Sequence, residues 1–271
     1  MKSVTFGLLL AVLVAMPVLD QAQAREKDWE DWNFGLGLYL PLTNVSGDMS
    51  MASSAGGTAD VPIDLGFRDI TDNWKGGVSG AFALKKNRWS VNLDLNYVKL
   101  ESEEPIPSLL DDSTEVKNTL SMSRDELFFG YQISDPDQGV SEIIFGTRYL
   151  GQNIKLSAQG GEHALSETGI DKDVTENWWM GFIGARFAGP LAGSEKWLLL
   201  VRADVGAFDT SGRITWRADL GADWRFARHW DLALMYKWLG VDYKKGEPGD
   251  AGYYYYKAVE HGPVIGIGLR F

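Results

Sequence analysis

The stretch from Arg213 to Phe226, RITWRADLGADWRF, constrains the possible folds of this chain more than any other stretch. Every second residue in it is apolar, and the residues between are charged, small or polar. Successive side chains of a β-strand point to opposite faces, so the pattern predicts a strand with one apolar and one charged face. The same period of two recurs along most of the chain and predicts an all-β protein. The apolar set of the stretch is Ile214, Trp216, Ala218, Leu220, Ala222, Trp224 and Phe226.

The N-terminus has the features of a cleaved export signal. A short basic start is followed by an uncharged apolar run from Val4 to Leu19, and Ala22-Gln23-Ala24 matches an Ala-x-Ala cleavage site. We predict a signal peptide over residues 1–24 and one mature domain over residues 25–271. An uncleaved anchor is the alternative, but the run is short for a membrane span. No later segment approaches about 18 apolar residues, so membrane contact would come from strands.

Composition excludes several classes of function. The chain has no cysteine, which removes disulfides, thiolate nucleophiles and cysteine zinc sites. Its net charge of -11 argues against a nucleic-acid partner, which would need a basic face. Aromatic residues stand at both ends of apolar strand faces, as Trp89 and Tyr97 do. Such pairs are typical of strands that meet the two lipid–water interfaces.

A strand in lipid must have both edges paired, because bare backbone groups cost several kcal/mol each. The alternation therefore predicts a transmembrane antiparallel up-and-down β-barrel. We count ten strands, with eight or twelve as alternatives. The predicted strands are 32–42, 75–85, one beginning at 89, one ending near 133, 140–156, 174–187, 197–208, 213–226, one beginning at 230 and one from 254 to the end.

The connections predict which end faces outward. Short turns at 86–88 and 227–229 fall on one side, and longer segments at 43–74, 101–115, 157–173 and 244–252 fall on the other. This asymmetry is typical of outer-membrane barrels with both termini in the periplasm, although the short turn at 209–212 breaks it. Residues 43–61 are interpreted as a small, polar outer segment. Residues 59–67 are expected to extend a hairpin above the membrane, and 68–74 to form helical turns in the barrel mouth.

The chain ends on an alternating strand whose outward residues include Ile267, Leu269 and Phe271. This end resembles the C-terminal signature by which outer-membrane barrels are recognised for assembly. The segments WNFGLGLYLPL, DLGFRDITDN, KKNRWSVNLDLNYVKL and ADLGADWRF through GPVIGIGLRF resemble a family of small, mostly uncharacterised outer-membrane β-barrels of the porin-like or OmpA-like kind. The resemblance implies a Gram-negative outer-membrane location, outer-membrane lipid and the barrel-assembly machinery as partners, and no catalytic residues.

The charged face of the strands is expected to line the lumen. Both signs occur in similar number, so one interpretation is that paired charges fill and rigidify the barrel interior. The other is a narrow porin-like channel for small solutes or ions. The predicted lumen-lining residues are Asp94, Arg148, Arg186, Arg202, Asp204, Arg217, Asp219, Asp223, Arg225 and Lys237.

Other functions have weaker signals. A surface-binding role would use the outer segments 43–74 and 157–173. A rim hydrolase or acyltransferase would need His163 or His261 beside an aspartate such as Asp111, Asp171 or Asp250, and no Gly-x-Ser-x-Gly motif is present. We predict no enzyme activity, no metal and no cofactor. The run of tyrosines at 253–256 is interpreted as an interfacial cluster, with a ligand-stacking platform as the alternative.

Overall fold

The computed structural model describes residues 31–52, 58–102, 115–135, 139–159, 170–207 and 213–271. The predicted signal peptide, the turn at 209–212, Asp111 and His163 lie outside these ranges. The strands are β1 (Asn33–Pro41), β2 (Asn44–Ala52), β3 (Thr58–Leu65), β4 (Trp74–Lys86), β5 (Trp89–Ser102), β6 (Glu115–Gln132), β7 (Val140–Gln159), β8 (Ile170–Pro190), β9 (Trp197–Ala207), β10 (Ile214–Trp224), β11 (Trp230–Lys245) and β12 (Tyr254–Arg270). Helix α1 spans Phe67–Asp72, and a single 3-10 turn spans Leu191–Gly193.

Ten of these strands form a closed antiparallel barrel. Strands β4 to β12 pair with their neighbours in chain order, and β1 pairs with both β4 and β12. The seam is continuous, since the backbones of Phe34 and Phe271 exchange two hydrogen bonds of 3.1 and 2.9 Å. The predicted fold and the count of ten barrel strands are confirmed, with β2 and β3 as two additional strands.

β2 continues the course of β1 along the same partner strand. β1 pairs with β12 from Val264 to Arg270, and β2 pairs with β12 from Tyr254 to His261. β3 then folds back on β2 as a hairpin. The expectation of a hairpin in this region is confirmed. The long outer connection expected at 43–74 contains two strands and a helix. Small polar residues hide the period of two that places Val45, Met49 and Met51 on one face.

Helix α1 closes the gap between the hairpin and β5. Its Ile70 packs against Val98, Leu100 and Met122 of the barrel wall. The helix begins where Asp69 accepts a 2.8 Å hydrogen bond from the Gly66 backbone N–H. The helical turns expected near the barrel mouth are therefore present. None of the helices in the described ranges is long and apolar enough to cross a bilayer.

The outer surface carries a band of exposed apolar side chains between two aromatic belts. Trp230 and Trp238 stand on one face of β11, about 26 Å apart along the strand. A tilt of about 40° turns this into about 20 Å along the barrel axis, close to the apolar band of about 25 Å in outer-membrane barrels. The belt near the chain termini includes Trp89, Trp197, Trp224 and Trp230, and the opposite belt, called here the outer belt, includes Tyr97, Trp179, Trp216 and Trp238.

Candidate functional site

The barrel interior has two chemically distinct parts. Between the aromatic belts it holds buried charged residues, and beyond the outer belt it is apolar. The first part is centred on Glu126 of β6. We call the five residues Glu126, Arg148, Arg202, Asp204 and Arg217 the ion-pair layer.

Glu126 receives three guanidinium groups from three other strands. Its carboxylate lies 2.7 Å from Arg148 Nε, 2.8 Å from Arg202 Nη2 and 2.9 Å from Arg217 Nη1. The carboxylate is 5% exposed, so these are charge-assisted bonds in a water-poor space. β6, β7, β9 and β10 are thereby connected across the lumen through one side chain.

Asp204 completes the ion-pair layer. It accepts hydrogen bonds of 2.8 Å from Arg148 Nη2 and 2.8 Å from Arg202 Nε. Arg148 is fully buried, and its remaining Nη1 donates to Thr215 Oγ1 at 3.0 Å. Each nitrogen of the Arg148 guanidinium therefore has an acceptor, as burial of this group requires.

Aromatic rings hold the guanidinium groups from the side. The Arg202 guanidinium lies 4.7 Å from the Phe128 ring centre and 5.3 Å from that of Phe182. Arg148 lies 4.9 Å from the Phe182 ring centre. Such cation–π contacts are each worth about 0.5–2 kcal/mol and restrict movement of the charged groups.

Two further clusters extend the network towards neighbouring strands. Arg186 donates to Glu142 at 2.5 Å and to Asn92 at 3.1 Å, and a void of about 100 Å³ remains beside this arginine. Asp94 accepts a 2.5 Å hydrogen bond from the Tyr39 hydroxyl.

Asp219 and Lys237 lie at the same level of the barrel. Arg217 binds Asp219 at 2.8 Å. Asp219 is the register partner of Lys237 on β11, and both are buried. The charges of β10 and β11 are therefore adjacent within the lumen.

A separate charged group lies at the end of the barrel that holds the chain termini. Asp223 and Asp231 are fully buried there, and Arg270 Nε lies 3.0 Å from the Asp231 carboxylate. Arg225 is also buried and interacts electrostatically with Asp223. All ten charged residues singled out from the sequence thus lie inside the barrel, eight of them at the level of the ion-pair layer or beside it and two in this group.

The residue at the centre of the network is not among those predicted from the sequence. Glu126 shares the inward parity of Phe128 and alternates with outward Leu127 and Phe129. A strict application of the period of two to β6 would have found it. The other buried charged residues missed in this way are Lys85, Glu142, Asp231, Glu260 and Arg270.

Beyond the outer belt, the inward face of the wall is apolar and the outward face is polar, the opposite of the arrangement between the belts. On β11 the inward residues are Leu239, Val241 and Tyr243, while Asp242 and Lys244 face outward. An exchange of this kind is expected where a barrel wall extends beyond the apolar band, because its outer face there meets water and not lipid. The ten charged residues predicted from the sequence all lie on the other side of the outer belt, and none of them belongs to this apolar part. We call the inward apolar cluster the outer cup: Val45, Met49, Met51, Leu150, Trp178, Met180, Leu239, Val241, Tyr243, Tyr254, Tyr256 and Ala258.

Aromatic rings dominate one side of the outer cup. Trp178 stacks on Tyr243 with ring centres 4.1 Å apart and planes 9° apart. Tyr254 and Tyr256 lie 6.4 and 6.3 Å from the same indole. The interpretation of 253–256 as an interfacial cluster is wrong for these two tyrosines, which are 2% and 5% exposed. β12 continues beyond the membrane, so every second residue of the run faces the interior.

The outer cup is electrically neutral. Burial raises the pKa of Tyr254 and of Tyr256 above the ordinary value for a phenol, so both remain protonated at neutral pH. The Tyr254 hydroxyl donates a 2.5 Å hydrogen bond to Gln152 Oε1. The buried Trp178 indole N–H has no hydrogen-bond partner within the described part of the chain.

An ion pair separates the outer cup from the ion-pair layer. Arg124 of β6 lies 2.7 Å from Glu260 of β12, and the Thr43 hydroxyl donates to the same carboxylate at 3.0 Å. Thr43 stands at the junction of β1 and β2. The contact therefore spans the lumen just below the point where β2 begins.

The two described histidines are not bonded to carboxylates. His261 lies on the outer face of β12, with Nδ1 2.8 Å from the Tyr236 hydroxyl. His229 Nδ1 lies 2.8 Å from the Arg270 carbonyl oxygen in a turn at the opposite end. No group of three or more metal-ligating His, Asp or Glu side chains occurs in the described ranges.

The predicted assembly residues lie at the closing seam. Ile267 and Leu269 pair with Leu38 and Leu36 of β1. Phe271 is 66% exposed beside them. The last strand therefore presents an apolar outward face where the barrel closes.

Comparison with solved structures identifies the architecture. The outer membrane protease OmpT from Escherichia coli matches with a TM-score of 0.52, covering 88% of this chain and 97% of that chain at 9% sequence identity. Ail, the attachment invasion locus protein of Yersinia pestis, matches with a TM-score of 0.35 over 89% and 99% of the two chains at 9% identity. No family model and no curated protein matches the sequence. The chain thus has the fold of an outer-membrane β-barrel, as the sequence resemblance predicted, and this likeness concerns the fold alone.

Proposed function

We propose that this protein is a non-conducting outer-membrane barrel that acts as a surface binding protein through its outer end. The observation that carries the sealed lumen is that three arginines from three strands bind Glu126. A porin-like channel would need mobile or one-signed groups along a water-filled path. Here the central arginines bind Glu126 and Asp204, so their N–H groups are not available to passing ions or solutes.

The same proposal places the chain in the cell envelope. Residues 1–24 direct export and are removed, and both termini lie on the periplasmic side. The barrel-assembly machinery recognises the C-terminal strand with Ile267, Leu269 and Phe271. The apolar band contacts outer-membrane lipid. The apolar outer cup then faces the cell exterior, where it is accessible to external molecules.

A planar-bilayer measurement tests the sealed lumen. We expect the wild-type protein to give no discrete current steps. The double variant Glu126→Ala/Arg202→Ala should conduct, because it truncates two large side chains in the ion-pair layer and so opens a path. The net charge of the layer stays the same, since one charge of each sign is removed. In this variant Arg148 keeps its 2.8 Å contact with Asp204, so no uncompensated charge is created there.

The matched control removes a balanced pair outside the lumen. Lys244→Ala/Glu247→Ala deletes a 2.7 Å surface ion pair and should stay as silent as wild type. Regular current steps from the wild-type protein would instead favour the narrow channel and contradict the sealed lumen.

A hydrolase remains the alternative with the least support. The Nδ1 atom of His261 is bonded to a tyrosine on the outer wall, away from the inward carboxylates. We therefore propose no catalytic residue among the described ones.

A further inference from the structure

A cavity of about 260 Å³ opens between the β2–β3 hairpin and the opposite wall of the outer cup. Met49 of β2 and Ile63 of β3 contribute to one side. Leu120 of β6 and Ile154 of β7 contribute to the other, and Tyr256 of β12 adds an aromatic surface. The cavity is therefore lined by five strands, is open on one side and lies beyond the outer belt.

The lining is apolar and adaptable. Most lining side chains are aliphatic or methionine, and the unbranched methionines adjust to ligands of different shape. Among the described residues that line the cavity, Asp64 is the only charged one, and it is exposed at the rim. Gln152 and Tyr256 supply polar groups at one side. A charged ligand would lose its hydration here without gaining a buried partner of opposite sign among the described lining residues.

The size of the cavity limits the ligand further. A cavity of about 150 Å³ accommodates one benzene ring, and drug-sized ligands need about 300 Å³ or more. A space of about 260 Å³ therefore suits a molecule with one or two rings.

One buried polar group lies near the cavity without lining it. The Trp178 indole N–H is buried without a partner within the described ranges, and its ring lies 6.3 Å from the ring of Tyr256 at the cavity wall. At the cavity wall itself, a neutral polar atom of a ligand would meet Gln152 and Tyr256.

We propose that the outer cup binds a small, uncharged apolar molecule of one or two rings in the cavity between the β2–β3 hairpin and β6–β7. The inference rests on the proposed surface-binding function and names its ligand class. β3 pairs with β2 along one edge and has no other strand partner among the described strands. The hairpin is thus the part of the wall that can shift as a ligand enters.

Equilibrium dialysis tests the proposal with 2-naphthol, a neutral two-ring molecule, and the full-length mature barrel in lipid nanodiscs. Empty nanodiscs give the contribution of lipid partitioning. We expect saturable binding of one molecule per barrel above that background. 2-Naphthoate, which has the same rings and a negative charge, should bind at least tenfold more weakly. Uptake no greater than that of empty nanodiscs, or equal affinity for naphthoate, would overturn the proposal.

Paired substitutions locate the site. Ile154→Phe places a ring in the cavity and should weaken 2-naphthol binding at least tenfold. Ile183→Phe makes the same change at a position 58% exposed on the lipid-facing side of β8 and should leave binding unchanged. Leu120→Phe fills the cavity from the facing strand and provides a second variant if the first does not fold, as judged by heat-dependent gel mobility. Unchanged affinity in a folded cavity variant would contradict the site.

The two proposals fail in different ways. Current steps from wild type with normal 2-naphthol binding would overturn the sealed lumen and leave the ligand site in place. A silent bilayer without saturable binding would overturn the ligand site and leave the sealed lumen in place.

Discussion

Glu126→Leu is expected to lower the free energy of unfolding by about 3–5 kcal/mol, the typical cost of removing one partner from a buried ion pair. The substitution leaves the inward-facing Arg148, Arg202 and Arg217 without their shared carboxylate. Asp204 and Asp219 compensate only part of the remaining positive charge. Urea unfolding of the barrel in detergent micelles, followed by tryptophan fluorescence, measures the difference.

The control makes the same substitution in water. Glu247→Leu removes a carboxylate whose side chain is 75% exposed and should change the unfolding free energy by less than about 1 kcal/mol. Glu126→Gln keeps an acceptor without the charge and should fall between the two. Equal effects of Glu126→Leu and Glu247→Leu would show that the ion-pair layer does not stabilise the barrel.

Gly262→Val is expected to destabilise the barrel by at least about 3 kcal/mol or to prevent its closure. Gly262 faces the junction of β1 and β2, where a Cβ atom would overlap the Leu42 carbonyl oxygen and lie 2.7 Å from Thr43 Cα. Backbone atoms cannot move aside as a flexible side chain does. The fraction of protein that refolds to the heat-modifiable form in detergent measures the effect.

Gly252→Val provides the comparison for this prediction. A Cβ atom at Gly252 has no neighbouring atom within 4 Å, and the residue lies in the exposed β11–β12 connection. Refolding of this variant should match wild type. A Gly262→Val protein that refolds in the same yield would refute the close backbone approach at the β1–β2 junction.

The period of two was sufficient to predict the barrel because lipid and a charged lumen impose opposite chemistry on the two faces. On β10, Trp216 and Leu220 face lipid while Arg217 and Asp219 face the interior, and no other arrangement suits those residues. The short turns then predicted one end of the barrel, and the aromatic pairs predicted the two lipid–water interfaces. These features depend on local sequence and were therefore visible in it.

The outer cup could not be predicted in the same way. Beyond the outer belt, we expect water outside the barrel in place of lipid, and an apolar core replaces the charged lumen. The residues still alternate, but there the apolar ones face inward and the polar ones outward. Val45 and Met49 belong to a strand with small polar neighbours, and the sequence does not indicate that β12 is its partner. Likewise, the convergence of three arginines on Glu126 depends on strands distant in the chain, which the pattern within one strand cannot specify.

The hydrogen bonds between Phe34 and Phe271 have a consequence for how the molecule forms. Strands β4 to β12 pair with their neighbours in chain order, whereas β1 and β2 near one end of the described chain pair with β12 at the other. Pairing of such distant segments is slow, because a long stretch of chain must first be ordered. Until that final zipping step, the growing sheet has two bare edges, which makes the nearly finished intermediate the species most exposed to aggregation.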